Sequence, residues 1–216
     1  MPDTDPLWDP KNDLQTQRLE TLTDGIFAIV MTILVFDLKL PDVPVDQLLP
    51  ALMHLWPNFL GYAVSFSLLG VYWLGHLSQF KFIRKTDHNL IWINILFFAL
   101  VALVPFSTAS LSRYPFSSVT LALYAGNLIL IGIALWLPWR YATRNHRLVD
   151  PALPDFIIMY GTLRCLVAPA GYLAALSFSL ISPILTLLFF IAIPLLYILP
   201  VFHVWWIRLA KRVTVA

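Results

Sequence analysis

Apolar residues fall into six runs, at 18–40, 59–80, 89–112, 116–139, 156–180 and 183–207. About 20 mostly apolar residues are enough to cross a hydrocarbon core of about 30 Å. The first run qualifies only with its charged N-terminal turn included, whereas the second carries no charge through Gln79. The last two come from one long stretch: no Asp, Glu, Lys or Arg occurs between Cys165 and Ile207. That is too long for a single crossing, and the Ser179–Pro183 segment divides it. The pattern predicts an all-α membrane protein of six transmembrane helices.

Composition agrees. The chain is 59% hydrophobic and 12% charged, with a mean hydropathy of +0.78, against about 45–50% apolar and 25% charged in soluble domains. Residues 1–17 hold four aspartates, one lysine and three prolines, the opposite of a signal peptide's basic and apolar regions. They are expected to form a flexible cytoplasmic tail before a single membrane domain over 18–212. One cysteine, Cys165, excludes an internal disulfide and a thiolate metal site.

Net charge is only +2, but its placement is one-sided. Lys11, Arg18, Lys81, Arg84, Lys85, Arg140, Arg144, Arg147, Arg208, Lys211 and Arg212 flank one side of the spans, and Lys39 and Arg113 the other. The positive-inside rule then makes both termini cytoplasmic. Trp8, Trp56, Trp139, Trp205 and Trp206 lie near the expected interfaces, as aromatic anchors do.

Polar residues inside the spans carry the next step. Asp24 lies six residues beyond Arg18, about 9 Å into the first span. His76 and Trp73 stand four and seven residues from the cytoplasmic end of the second, Asn94 six residues into the third, and Arg164 about nine into the fifth. All fall in the cytoplasmic third. Unpartnered groups there cost several kcal/mol each, so a shared network is expected, with Asp24 accepting from His76, Asn94 or Arg164. Turned at about 100° per residue, the first span sets Arg18, Leu22, Ile29, Ile33 and Phe36 on one stripe, with Gly25 and Thr32 at its edge. Asp24 and Glu20 point away.

The segment Arg18-Leu-Glu-Thr-Leu-Thr-Asp24 resembles the R-x-x-x-F-S-D signature of the transmembrane protein 175 family of potassium channels, with Leu22 for phenylalanine and Thr23 for serine. Trp73 and His76 in Trp-Leu-Gly-His, Asn94, and Pro105-Phe106 add to the likeness, which is strongest over the first three spans. The resemblance implies a homotetramer around a central pore lined by the first helix, passing K⁺ in weak to moderate preference to Na⁺. It places a hydrophobic constriction at Ile29, a threonine at Thr32, and outer apolar positions at Ile33 and Phe36. Arg18, Leu22, Thr23, Asp24, Trp73, His76 and Asn94 form the signature and inter-helix contacts, with Arg164 a further network partner. The expected partners are other copies of the chain, membrane lipids and monovalent cations in the cell's inner (plasma) membrane, with no cofactor and no nucleic acid.

Other classes find little support. No His-Glu-x-x-His zinc spacing, nucleotide-binding glycine loop or Thr-Val-Gly-Tyr-Gly filter occurs, and no nucleophile–base spacing points to an enzyme. The alternative is a secondary transporter or proton-coupled carrier that uses Asp24 and His76 as a titrating pair.

Overall fold

The structure, a computed structural model, describes residues 10–179 and 181–199, with side chains from residue 15 onward. Its helices are α1 (Pro10–Ile33), α2 (Leu48–His54), α3 (Trp56–Phe80), α4 (His88–Ala102), α5 (Val104–Arg113), α6 (Ser118–Thr143), α7 (Asp155–Phe178) and α8 (Pro183–Ile198). Among the described residues five segments are long and apolar enough to cross a membrane: Gln15–Asp37, Trp56–Phe80, His88–Arg113, Ser118–His146 and Asp155–Phe178; α8 is a shorter apolar helix. The end of the sixth expected span, Trp8, Trp205, Trp206, Arg208, Lys211 and Arg212 lie outside the described residues.

Three expected boundaries shift, each for a physical reason. Helix α1 starts at Pro10 rather than at residue 18. Proline suits a first helical turn because its φ is preset and its missing N–H would have had no partner there. Residues 10–17 are therefore not an irregular tail, and Thr16 is buried with its hydroxyl 2.7 Å from that of Thr86. At the other end α1 tightens into a 3₁₀ turn over Leu34–Asp37 instead of running to residue 40. The third expected span breaks at Leu103 into α4 and α5. Pro105 has no N–H for the carbonyl of Val101, so the ladder cannot run through it.

Helix α6 is the axis of the bundle. It packs on α4, α5 and α7, and 56% of its most apolar stretch is buried, against 28% for α1 and 22% for α7. Small residues let α6 and α7 approach closely, as in membrane helix pairs. A Cβ on Gly132 would overlap the Pro169 ring, and one on Gly161 would meet the Trp139 indole at 2.5 Å. Hydroxyls buried between helices bond one another: Ser65 Oγ lies 2.8 Å from both Thr108 Oγ1 and Tyr124 OH. This meets the requirement that polar groups away from water find partners.

Helix α7 contains Pro169, and α8 helps to mend the ladder there. The Tyr197 hydroxyl donates to the Arg164 carbonyl (2.7 Å) and accepts from the Ala168 amide (3.2 Å). It is inserted between two backbone groups that an uninterrupted helix would join directly. On the basic side, the loops after α3 and α6 are tied by an antiparallel bridge at Ile83 and Val149, with Arg84 N–H donating to Leu148 O at 2.8 Å.

Candidate functional site

Helix α1 has two unlike faces. Leu19, Thr23, Phe27, Val30 and Leu34 recur at helical spacing and are buried to 5% exposure or less. They turn toward α3 and α4, against which α1 packs, and the Phe27 and Phe97 ring centroids are 6.0 Å apart. Thr23 fits this apolar face because its hydroxyl donates to Leu19 O at 2.8 Å. Over a hundred degrees around the helix lie Leu22, Ile29, Ile33 and Phe36, exposed by 48%, 60%, 41% and 73%. Arg18, Gly25 and Thr32 are exposed beside them. The ladder expected from the sequence is therefore an uncovered apolar stripe on the single chain.

Thr32 donates its hydroxyl proton to the carbonyls of Ala28 (2.9 Å) and Ile29 (2.8 Å). Its oxygen lone pairs remain available on the exposed side. A hydroxyl so committed can accept a donor or coordinate a cation.

The rotation of α1 is held by contacts at several heights. Near its start is the Thr16–Thr86 hydrogen bond. At mid-height the Trp73 indole N–H donates to Asp24 Oδ1 at 2.8 Å, a charge-assisted bond from α3 to the flank of α1. Behind it, His76 is fully buried and its Nε2 lies 2.9 Å from Asn94 Oδ1. Asn94 uses its amide N–H to bond Leu90 O at 2.8 Å. Its oxygen therefore faces the imidazole, so Nε2 carries the proton. The imidazole stacks on Phe80 and Phe97, with centroids 4.3 and 5.7 Å away. Its Nδ1 has no hydrogen-bond partner among the described residues.

The expected shared network is thus two separate pairs, Asp24–Trp73 and His76–Asn94. Asp24 accepts from Trp73, not from His76, Asn94 or Arg164. An indole reaches across a helix pair better than the imidazole one turn away, which α3 directs toward α4. Arg164 belongs to neither pair and lines a cleft beside α7. Thr16, Thr86 and Phe97 were not foreseen as anchors. Nothing local marks them, because each gains its role from a partner on another element.

Comparisons with known proteins fit this geometry. Residues 18–105 match the family described as Endosomal/lysosomal potassium channel TMEM175. A potassium channel of Chamaesiphon minutus is 33% identical over 174 residues, covering 78% of this chain and 86% of that protein. A potassium channel of Streptomyces collinus is 32% identical over 179 residues, covering 80% and 86%. The human endosomal/lysosomal proton channel TMEM175 is 32% identical over 120 residues, covering 50% of this chain and 24% of that one. The fold is similar to the crystal structure of a lysosomal potassium-selective channel TMEM175 homolog from Chamaesiphon minutus. Its TM-score is 0.75 at 30% identity, covering 85% of this chain and 96% of that one.

Proposed function

The chain belongs to the TMEM175 family of ion channels, and from that membership we propose that it is a K⁺-preferring cation channel of the cell's plasma membrane. Four copies surround an axis, each contributing six spans with both termini cytoplasmic. The observation that carries this reading is the uncovered stripe of α1, over a hundred degrees around the helix from the face that packs on α3 and α4.

The stripe gives each position a task. Four Ile29 side chains meeting at the axis make a constriction that excludes water, so an ion there would lose its hydration. Ile33 and Phe36 extend that apolar wall outward. Thr32, its proton engaged by the backbone, turns oxygen toward the axis and favours the cation that dehydrates more easily, K⁺. Arg18 and Leu22 form the inner collar. Asp24–Trp73 and His76–Asn94 set the rotation of α1, and a change at these pairs would widen or close the constriction.

A carrier that exchanges protons between Asp24 and His76 is less well supported, because the two side chains bond different partners. Single-channel recording of the purified chain in a planar bilayer between KCl and NaCl separates the two readings. Unitary currents with a reversal potential favouring K⁺ are expected, and flux saturating at carrier rates without unitary steps refutes the channel. In the same bilayer Ile29→Asn should raise basal conductance by wetting the constriction. Unchanged currents from a well-folded variant would remove Ile29 from the pore.

A further inference from the structure

Helix α1 packs on α3 and α4, yet a line of hydrogen bonds also ties it to α6, the most buried of the candidate spans. The line runs through residues 81–87, which link α3 to α4. This linker is fastened first to the loop after α6. There the Leu148 carbonyl accepts from the Arg84 amide at 2.8 Å and from the Lys85 amide at 3.3 Å, beside the bridge between Ile83 and Val149, both buried. It is fastened again to α6 itself. Asp87 Oδ2 accepts from the Tyr141 hydroxyl at 2.7 Å, while Asp87 Oδ1 caps α4 by accepting from the Leu90 amide at 2.8 Å. Between the two attachments stands Thr86, 4% exposed, with its hydroxyl 2.7 Å from that of Thr16 on α1.

Both attachments are stiff for identifiable reasons. The Tyr141–Asp87 bond is charge-assisted, and such bonds are about twice as strong as neutral ones. Asn89 Nδ2 donates to the same hydroxyl at 3.3 Å. The Arg147 guanidinium lies 4.8 Å from the centre of the Tyr141 ring, a cation–π contact that steadies it. The loop that supplies Arg147 turns through Asn145 and His146, both with left-handed backbone (φ 54° and 53°). Such residues persist where their surroundings over-determine them. Here the Leu148 amide donates back to Ala142 O at 3.0 Å, and His146 Nε2 lies 3.3 Å from Leu153 O. Thr86 therefore cannot turn without disturbing its neighbours' bonds. A hydroxyl on a loose linker would follow α1 through many rotations; one on a fixed linker selects a single rotation.

We infer that Asp87 and Tyr141 are positioning residues for the pore. They fix Thr86, Thr86 sets the axial rotation of α1 through Thr16, and that rotation sets the constriction at Ile29. The inference rests on the reading that α1 lines the pore. It gives the loop after α6 a hold on a gate formed by another helix.

Single-channel recording of the full chain, with hydrogen exchange along α1, tests this. Tyr141→Phe keeps the ring beside Arg147 and removes only the hydroxyl, and Thr16→Val cuts the other end of the line. Each should shift the open-to-closed ratio by about fivefold, the lower end of coupling between distant sites. The double variant should shift it no further than either alone, because both cut one line. Thr16→Ser, which keeps the hydroxyl, should restore the wild-type ratio. Tyr197→Phe removes a hydroxyl that bonds α8 to α7 and should leave the ratio unchanged, although it too weakens the fold. Additive shifts, a wild-type ratio in Tyr141→Phe, or an equal shift in Tyr197→Phe would each overturn the inference. Exchange separates this failure from failure of the pore reading. Tyr141→Phe should speed exchange at the amides of residues 15–20 about fivefold, with or without currents. Absence of currents from the wild type refutes the pore, whereas unchanged protection at those amides refutes the tie itself.

Discussion

The Trp73–Asp24 hydrogen bond ties the flank of α1 to α3, so its removal should loosen the helix that carries the stripe. Its length is 2.8 Å and its acceptor is a carboxylate. Bonds to charged groups contribute about 1.5–3 kcal/mol when desolvated. Asp24 is exposed in the single chain, so water replaces part of the loss and about 1 kcal/mol is the expected net value. Trp73→Phe alone does not isolate it, because trimming an indole to a phenyl ring also removes packing area. A double-mutant cycle with Asp24→Ala cancels that term. Melting of the four purified proteins in one detergent is the assay. At about 2–4 °C per kcal/mol for a chain of this size, the double variant should melt about 2–4 °C above the additive expectation. Each single variant should also show a changed open probability in bilayers, since the stripe's rotation is less firmly held. Melting shifts that add to within about 0.5 kcal/mol, with open probability unaltered, would refute the anchoring role.

Two further variants probe the frame that holds α1. Gly132→Ala drives a methyl into the Pro169 ring and should cost about 1–3 kcal/mol through overpacking of α6 against α7; a wild-type melting temperature would show that the helices can separate freely. Tyr197→Phe removes the hydroxyl between Ala168 N–H and Arg164 C=O and should cost about 1–3 kcal/mol. Hydrogen exchange at the Ala168 amide should rise with it, and protection equal to wild type would mean that α7 closes its own ladder.

Much of the fold and the character of α1 could be read along the chain, because both are set by short-range geometry. The span positions follow from runs of apolar residues matched to bilayer thickness. The two faces of α1 follow from a fixed turn per residue: Leu22, Ile29, Ile33 and Phe36, grouped by that angle, are indeed exposed together. The layer of Trp73, His76, Asn94 and Asp24 was also legible, since rise per residue converts position to depth. Depth alone does not choose partners. Whether Asp24 meets Trp73 or His76 depends on how α3 is rotated relative to α1, a quantity shared by two distant segments and written in neither. The break at Leu103 is local, set by Pro105, but the Tyr197 hydroxyl within α7 and the cleft around Arg164 have the same origin as that choice of partner. Each follows from how packed helices cross and how closely their small residues let them approach, and tertiary packing sets both.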